Sequence, residues 1–250
     1  MDKLVVMKLR NFLAVFGVAV GIAALLWLVE PVRTFGGFVL TKIVGSYSVG
    51  ERLAQYDEVV KDRLADDFAK SGVNYPPKHL AFLAFKDSQL LELYAKNTKE
   101  QAWQLVKIYP IVKASGVPGP KLQEGDKQVP EGIYHSESLN PNSRYHLAIR
   151  VNYPNDFDRR MAKAESRANL GGDIMIHGSS SSVGCLAMGN EAAEDLFVLA
   201  AHTASLGVII VISPTDFRKN AVTEETIAGN KPAWRAELYA GIREALSAFN

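Results

Sequence analysis

Phe12 to Val29 (FLAVFGVAVGIAALLWLV) runs for eighteen residues without a charge, and this constrains the chain most. A helix rises about 1.5 Å per residue, so the stretch spans about 27 Å, close to the hydrocarbon core of a bilayer. Lys3, Lys8 and Arg10 precede it, and Glu30 and Arg33 follow. The positive-inside rule then puts the N-terminus in the cytoplasm and the remainder on the other side of the membrane. Trp27-Leu28-Val29-Glu30-Pro31 lacks the small-residue exit of a signal peptide. The expectation is an uncleaved single-pass anchor in the inner membrane through residues 12–29. If the segment were cleaved, the remainder would be released to the periplasm.

The exported part has few means of holding a cofactor. Cys185 is the sole cysteine, which excludes an intramolecular disulfide and a paired-cysteine zinc or redox site. His79, His135, His146 and His202 are scattered without metal-ligand spacing and read as structural or surface groups. No metal and no cofactor are expected. Lys and Arg number 28 against 27 Asp and Glu, a balance without the basic excess that nucleic-acid binding needs.

Periodicity divides the rest. Residues 31–48 are Gly-rich and apolar without a period, a tether. Over 49–71, Leu53, Tyr56, Val59, Val60, Leu64 and Phe68 fall on one helical stripe, ended by Ser71-Gly72. Tyr75-Pro76-Pro77 breaks the chain. Strand-like runs follow at 79–85, 90–95 and 102–112, with a turn at Asp87-Ser88. Residues 115–132 are Gly/Pro-rich, and such a long loop is usually functional or disordered. Strands are expected at 132–135 and 145–151, separated by Leu139-Asn140-Pro141-Asn142, then a helix over 156–168 and a short strand at 173–176. Asn190, as cap, starts a helix running to about 205. A fully buried strand (207–212) and a C-terminal helix (233–248) complete an α+β, strand-rich chain. The expected divisions are 1–30 (tip and anchor), 31–74 (tether and amphipathic helix), 75–213 (catalytic domain) and 214–250 (helical extension).

The chemistry concentrates between residues 173 and 189. A strand delivers His177 at its end, Gly178 and four serines turn the chain, and Gly184 brings back the thiol of Cys185. Alone, a cysteine is more often a small buried hydrophobe. Beside an imidazole, it is activated as a nucleophile. Gly184 allows an unusual backbone angle, and the Gly184 and Cys185 N–H groups are placed to stabilise an oxyanion. Asp173 is about 13 Å along the strand from His177, at about 3.3 Å per residue, too far to orient the ring. A backbone carbonyl is the expected orienter.

The segment HGSSSSVGCLAM resembles the signature of the L,D-transpeptidase catalytic domain family (YkuD type), in its YafK-like branch. His177-Gly178 and Ser182-Val183-Gly184-Cys185 carry the match. Upstream, Pro130-Glu131-Gly132-Ile133-Tyr134, Leu139-Asn140-Pro141-Asn142-Ser143 and Tyr153-Pro154-Asn155 agree in order. Val183 departs from the common form, which has a second His there, and the His-to-Cys loop is short. The resemblance implies a β-sandwich-like catalytic domain over about 75–213, with the helices at 190–205 and 233–248 outside it. It makes Cys185 the nucleophile and His177 the base, with Gly178, Ser182 and Gly184 shaping the loop and oxyanion site. The implied substrates are peptidoglycan stem peptides, attacked at the diaminopimelate carbonyl. The acceptor would be another stem or a wall-attached lipoprotein. The same machinery with water would be an endopeptidase or would release the lipoprotein, and a degenerate site would leave a wall-binding module. Arg144, Arg150 and Lys121 are candidate partners for stem carboxylates. No residue is assigned to substrate binding.

Overall fold

The structure is a computed structural model and describes residues 46–219, 227 and 229–249. The expected membrane helix over 12–29 and nearly all of the tether lie outside the described residues. Among the described residues no helix is long and apolar enough to cross a membrane. The chain from Tyr47 onward forms one compact unit, which includes both the 49–71 helix and the C-terminal helix.

Helix α1 (Val49–Ser71) starts at a reciprocal cap. The Glu51 N–H donates to Ser48 Oγ at 3.2 Å, and the Ser48 N–H donates to Glu51 Oε2 at 2.7 Å. Gly72 ends it in the left-handed region at φ 69°. Val60, Leu64 and Phe68 are its buried stripe, with Leu53 and Tyr56 partly buried, as the periodicity predicts, but Val59 points to solvent at 54% exposure.

Strands β1 (His79–Phe85), β2 (Leu90–Lys96) and β3 (Gln104–Pro110) form an antiparallel meander. They are followed by β4 (Lys113–Ala114), β5 (Gly132–Ser143), β6 (His146–Val151), α2 (Asp156–Ala164), β7 (Met175–His177) and β8 (Leu186–Ala187). Helix α3 (Asn190–His202), strand β9 (Val208–Ser213) and helix α4 (Arg235–Leu246) complete the order. Among the described residues the strands join into one nine-stranded sheet, ordered β3-β2-β1-β9-β5-β6-β7-β8-β4.

That order forces curvature. Eight spacings of about 4.8 Å would hold the edges of a flat sheet about 38 Å apart. Yet the edge strands β3 and β4 are joined by Ile111 and Val112 alone, and three Cα steps reach at most about 11 Å. The sheet therefore curls until its edges approach. Leu80 of β1, Val106 of β3, Ile176 of β7 and Leu186 of β8 all belong to one core cluster with Leu196, Phe197 and Leu199 of α3. Helix α3 thus fills the concave side, which is why it is buried nearly all round. Alternate residues of β1 (Ala81, Leu83, Phe85) face the other way and meet Leu238, Tyr239, Ile242 and Leu246 of α4.

Several expectations change. The sandwich-like core is instead one continuous curled sheet. Strand β5 causes this: its first four residues pair with β9, residues from Ser136 on pair with β6, and two register shifts interrupt that second pairing. Residues 139–142, read as a break, belong to this strand, whose polar SESLNPNS run hides its pairing. Helix α3 lies inside the curl, while α4 lies outside. Asn190 does not cap α3. Gly189 holds the cap position, and Asn190 Oδ1 accepts the Ser179 N–H at 2.9 Å. Strand β9 is not wholly buried, since Ile209 is 41% exposed.

The 115–132 loop is ordered by buried polar groups. Lys86 Nζ donates to the Gly119 and Val129 carbonyls at 2.9 Å each and pairs with Glu131 Oε1 at 3.0 Å. Glu131 also accepts from the Gly119 N–H and the Tyr239 hydroxyl. Asp126 accepts three backbone N–H groups, from Leu122, Gln123 and Gln128. The loop needs these partners because its backbone makes no strand ladder.

Candidate active site

The parallel pair β7–β8 sets the site. Ile176 is opposite Leu186, and His177 is opposite Ala187. Continued by one residue, the register puts Cys185 beside Met175 and on the same face as His177. A lateral step of about 4.8 Å and two residues along the strand separate their Cα atoms by about 8 Å, within reach of an imidazole and a thiol.

His177 is held on several sides. Its Nδ1 is 2.6 Å from the Gly178 carbonyl. A carbonyl only accepts, so Nδ1 carries the proton and Nε2 is the lone-pair nitrogen. The ring stacks on Tyr145, centroids 4.7 Å apart and planes at 24°. Every buried side-chain nitrogen and oxygen among the described residues has a hydrogen-bond partner. Nε2 has none among the described residues, so it keeps some contact with solvent although His177 is buried. Gly178 is sterically required: a Cβ there would sit 2.7 Å from Asn190 Oδ1 and 2.8 Å from the Tyr145 carbonyl oxygen.

Cys185 is partly exposed, and its Sγ donates to the Asp173 carbonyl at 3.5 Å. No hydrogen bond joins it to His177 among the described residues. Burial pushes the thiol above its ordinary value; the Met175 amide opposes this, the Asp173 charge adds to it, and the Lys121 ammonium opposes it. Burial likewise pulls His177 below the ordinary imidazole value, against its bond to the Gly178 carbonyl. Both groups are therefore neutral at rest near pH 7.

The turn before the thiol is clasped by two serines. Ser182 Oγ donates to the Cys185 carbonyl at 2.6 Å and accepts the Ser115 N–H at 3.1 Å. The Gly184 N–H, expected at an oxyanion, instead donates to Ser115 Oγ at 2.6 Å. Gly184 has φ +91°, where a side chain would be strained. Two residues that sequence reasoning missed are thus at the site, Ser115 and Tyr145, and Asp173, set aside as an orienter of His177, takes part through its carbonyl. None has a local signal, because each arrives by tertiary pairing.

The expected cations separate. Arg150 is held by Glu137 at 2.8 Å and Asp173 at 2.6 Å, and Lys121 by Asp126. Arg144 is exposed, without an ion pair among the described residues, one residue before Tyr145. His146 and His202 pair with Glu194 and Asp57, both at 2.9 Å or less, in structural roles. No cluster of His, Cys, Asp and Glu among the described residues could hold a metal. A cavity of ≈ 410 Å³ between β5, α2 and α4 includes neither Cys185 nor His177 in its lining, so cavity size does not mark this site.

The family model described as the L,D-transpeptidase catalytic domain (YkuD) matches residues 81–212, more than half of the chain. The chain belongs to the L,D-transpeptidase catalytic domain family. The Escherichia coli K12 protein named "Putative L,D-transpeptidase YafK" is 39% identical over 115 residues, which cover 45% of this chain and 44% of that protein. The match thus spans less than half the length of this relative. Among solved structures, the helical cell shape determining protein Pgp2 of Campylobacter jejuni aligns at 23% identity and a TM-score of 0.42, over 55% of this chain and 48% of Pgp2. L,D-transpeptidase 1 of Mycobacterium tuberculosis aligns at 15% identity and a TM-score of 0.31, over 54% of this chain and 62% of that one. At such TM-scores neither likeness carries an argument about this L,D-transpeptidase-family domain.

Proposed function

We propose that this chain is a membrane-anchored cysteine acyltransferase of the periplasm that acts on peptidoglycan stem peptides, with Cys185 as nucleophile and His177 as base. The reading rests on one observation: the β7–β8 pairing, which continued by one residue brings Cys185 to the face that carries His177, whose Nδ1 is held by the Gly178 carbonyl. Family membership supports the substrate class. The basic residues ahead of 12–29 support the compartment.

In this mechanism the thiol proton passes to His177 Nε2 as Sγ attacks the diaminopimelate carbonyl of a tetrapeptide stem. The C=O electron pair moves to oxygen. When the tetrahedral adduct collapses, the C–N bond to D-alanine breaks, and the imidazolium returns the proton to the leaving amine. The thioester is then attacked by an acceptor amine, from another stem or a lipoprotein lysine. That amine's proton goes to Nε2 and onward to the departing sulfur. The Gly178 carbonyl stabilises the imidazolium, and Tyr145 keeps the ring plane fixed. Arg144, exposed and without an ion pair among the described residues, is the candidate cation for a stem carboxylate.

Incubating the full chain with tetrapeptide muropeptides tests this. Mass spectrometry should show joined stems and free D-alanine, both lost in Cys185→Ala. Freed stems without joined ones would assign the enzyme to hydrolysis. Turnover that survives Cys185→Ala would refute the mechanism.

A further inference from the structure

We propose that the Ser115 hydroxyl, rather than the Gly184 N–H, is the second oxyanion donor beside the Cys185 N–H. This rests on Cys185 being the nucleophile. Strand β4 pairs antiparallel with β8, with Lys113 opposite Ala187 and Ala114 opposite Leu186. One residue further, the register brings Ser115 directly opposite Cys185 and onto the same face, where opposed Cβ atoms lie about 5 Å apart.

Proton accounting in the serine clasp leaves one hydroxyl uncommitted. The Ser182 proton goes to the Cys185 carbonyl, an acceptor only, at 2.6 Å. Ser115 Oγ accepts the Gly184 N–H at 2.6 Å, which occupies one of its lone pairs. The two hydroxyl oxygens are 3.2 Å apart; with the Ser182 proton on the Cys185 carbonyl, Ser182 cannot also donate across that gap, so the Ser115 proton has Ser182 Oγ as its one neighbouring acceptor among the described residues, and Ser182 already accepts the Ser115 N–H at 3.1 Å. The Ser115 proton is therefore the most weakly held in the cluster. It can swing to a developing oxyanion, polarised by the Gly184 N–H behind it. Ser115 is partly exposed. During attack, Sγ–C forms, the carbonyl π pair moves to oxygen, and that oxygen accepts from Ser115 Oγ–H and the Cys185 N–H. When the C–N bond breaks, the C=O reforms and the Ser115 proton returns to Ser182.

The test compares two reactions of the same sulfur in the full chain. Iodoacetamide alkylates the thiol at a saturated carbon and forms no oxyanion; stem transfer forms one. Loss of an oxyanion donor costs about 100-fold or more in kcat. Ser115→Ala is expected to lower muropeptide turnover about 100-fold with KM little changed, while Cys185 alkylation keeps its wild-type rate. Ser115→Thr should restore most of the turnover. Wild-type turnover in Ser115→Ala would overturn the proposal. So would turnover and alkylation falling together, which would make Ser115 a structural clasp. If Cys185→Ala still turns over, the reading of the nucleophile fails instead.

Discussion

Lys86 offers the sharpest test of how the loop carrying Ser115 is held. Its side chain is 3% exposed and that of Glu131 is 0% exposed, so the pair lies out of water. Burial pulls the Lys86 ammonium below its ordinary value despite the neighbouring carboxylate. In Lys86→Met, the Glu131 carboxylate keeps only the Gly119 N–H and the Tyr239 hydroxyl, and the Val129 carbonyl loses its lysine donor. Removing one partner of a buried ion pair costs about 3–5 kcal/mol, because a charge is left uncompensated. For a folded unit of this size, 1 kcal/mol moves Tm by about 2–4 °C, so the loss is about 6–20 °C. Glu131→Gln should cost a similar amount. The double variant Lys86→Met/Glu131→Gln should be no less stable than Lys86→Met alone, since no charge remains buried. Urea unfolding of the full chain in detergent measures this, with tryptophan fluorescence reporting through Trp103 on Phe249 and Trp234 against Phe157. A Lys86→Met loss below about 1 kcal/mol, outside the range for a buried pair, would refute the reasoning. Single costs that simply add would do the same.

The neutral resting pair predicts that the ultraviolet thiolate signal, read against Cys185→Ala, appears only above the ordinary thiol value of about 8.5, and that His177→Gln leaves it in place. A thiolate step below pH 7 that His177→Gln abolishes would mean a resting ion pair instead. Burial raises Asp158 of α2 to about 6, against about 3.9 unfolded. The folded state then binds more protons between these values, so ionisation subtracts stability as pH rises from about 4 to 6. Asp158→Asn should therefore gain on the wild type by about 2–3 kcal/mol between pH 4 and pH 7. Urea midpoints at both pH values check this, and a flat or opposite trend would contradict it.

Much of this was legible from local pattern. The α1 stripe, the β1–β2 turn and the Gly178 and Gly184 positions all follow from residue type at short range. His177 and Cys185 are recognisable for the same reason: the whole turn lies within one short segment. The curl of the sheet was not legible, because it depends on which strands become edges. Ile111 and Val112 reveal that only once β3 and β4 are known to stand at opposite ends of the strand order. The resemblance puts helix α3 outside the domain, yet it is buried nearly all round and its Asp195 is held by Arg63 and Tyr109. Ser115 was hidden most completely. It lies seventy residues before the thiol, in a Gly/Pro-rich run with no period, and only the β4–β8 register shows where it goes.

Intact-protein mass spectrometry after rapid acid quench, with a tetrapeptide muropeptide in excess, tests the nucleophile most directly. A stem-sized adduct less D-alanine should appear on the peptide containing Cys185, labile to hydroxylamine as a thioester is, and be absent from Cys185→Ala. Stem joining or cleavage with no such adduct, or with the adduct on another residue, would contradict the account.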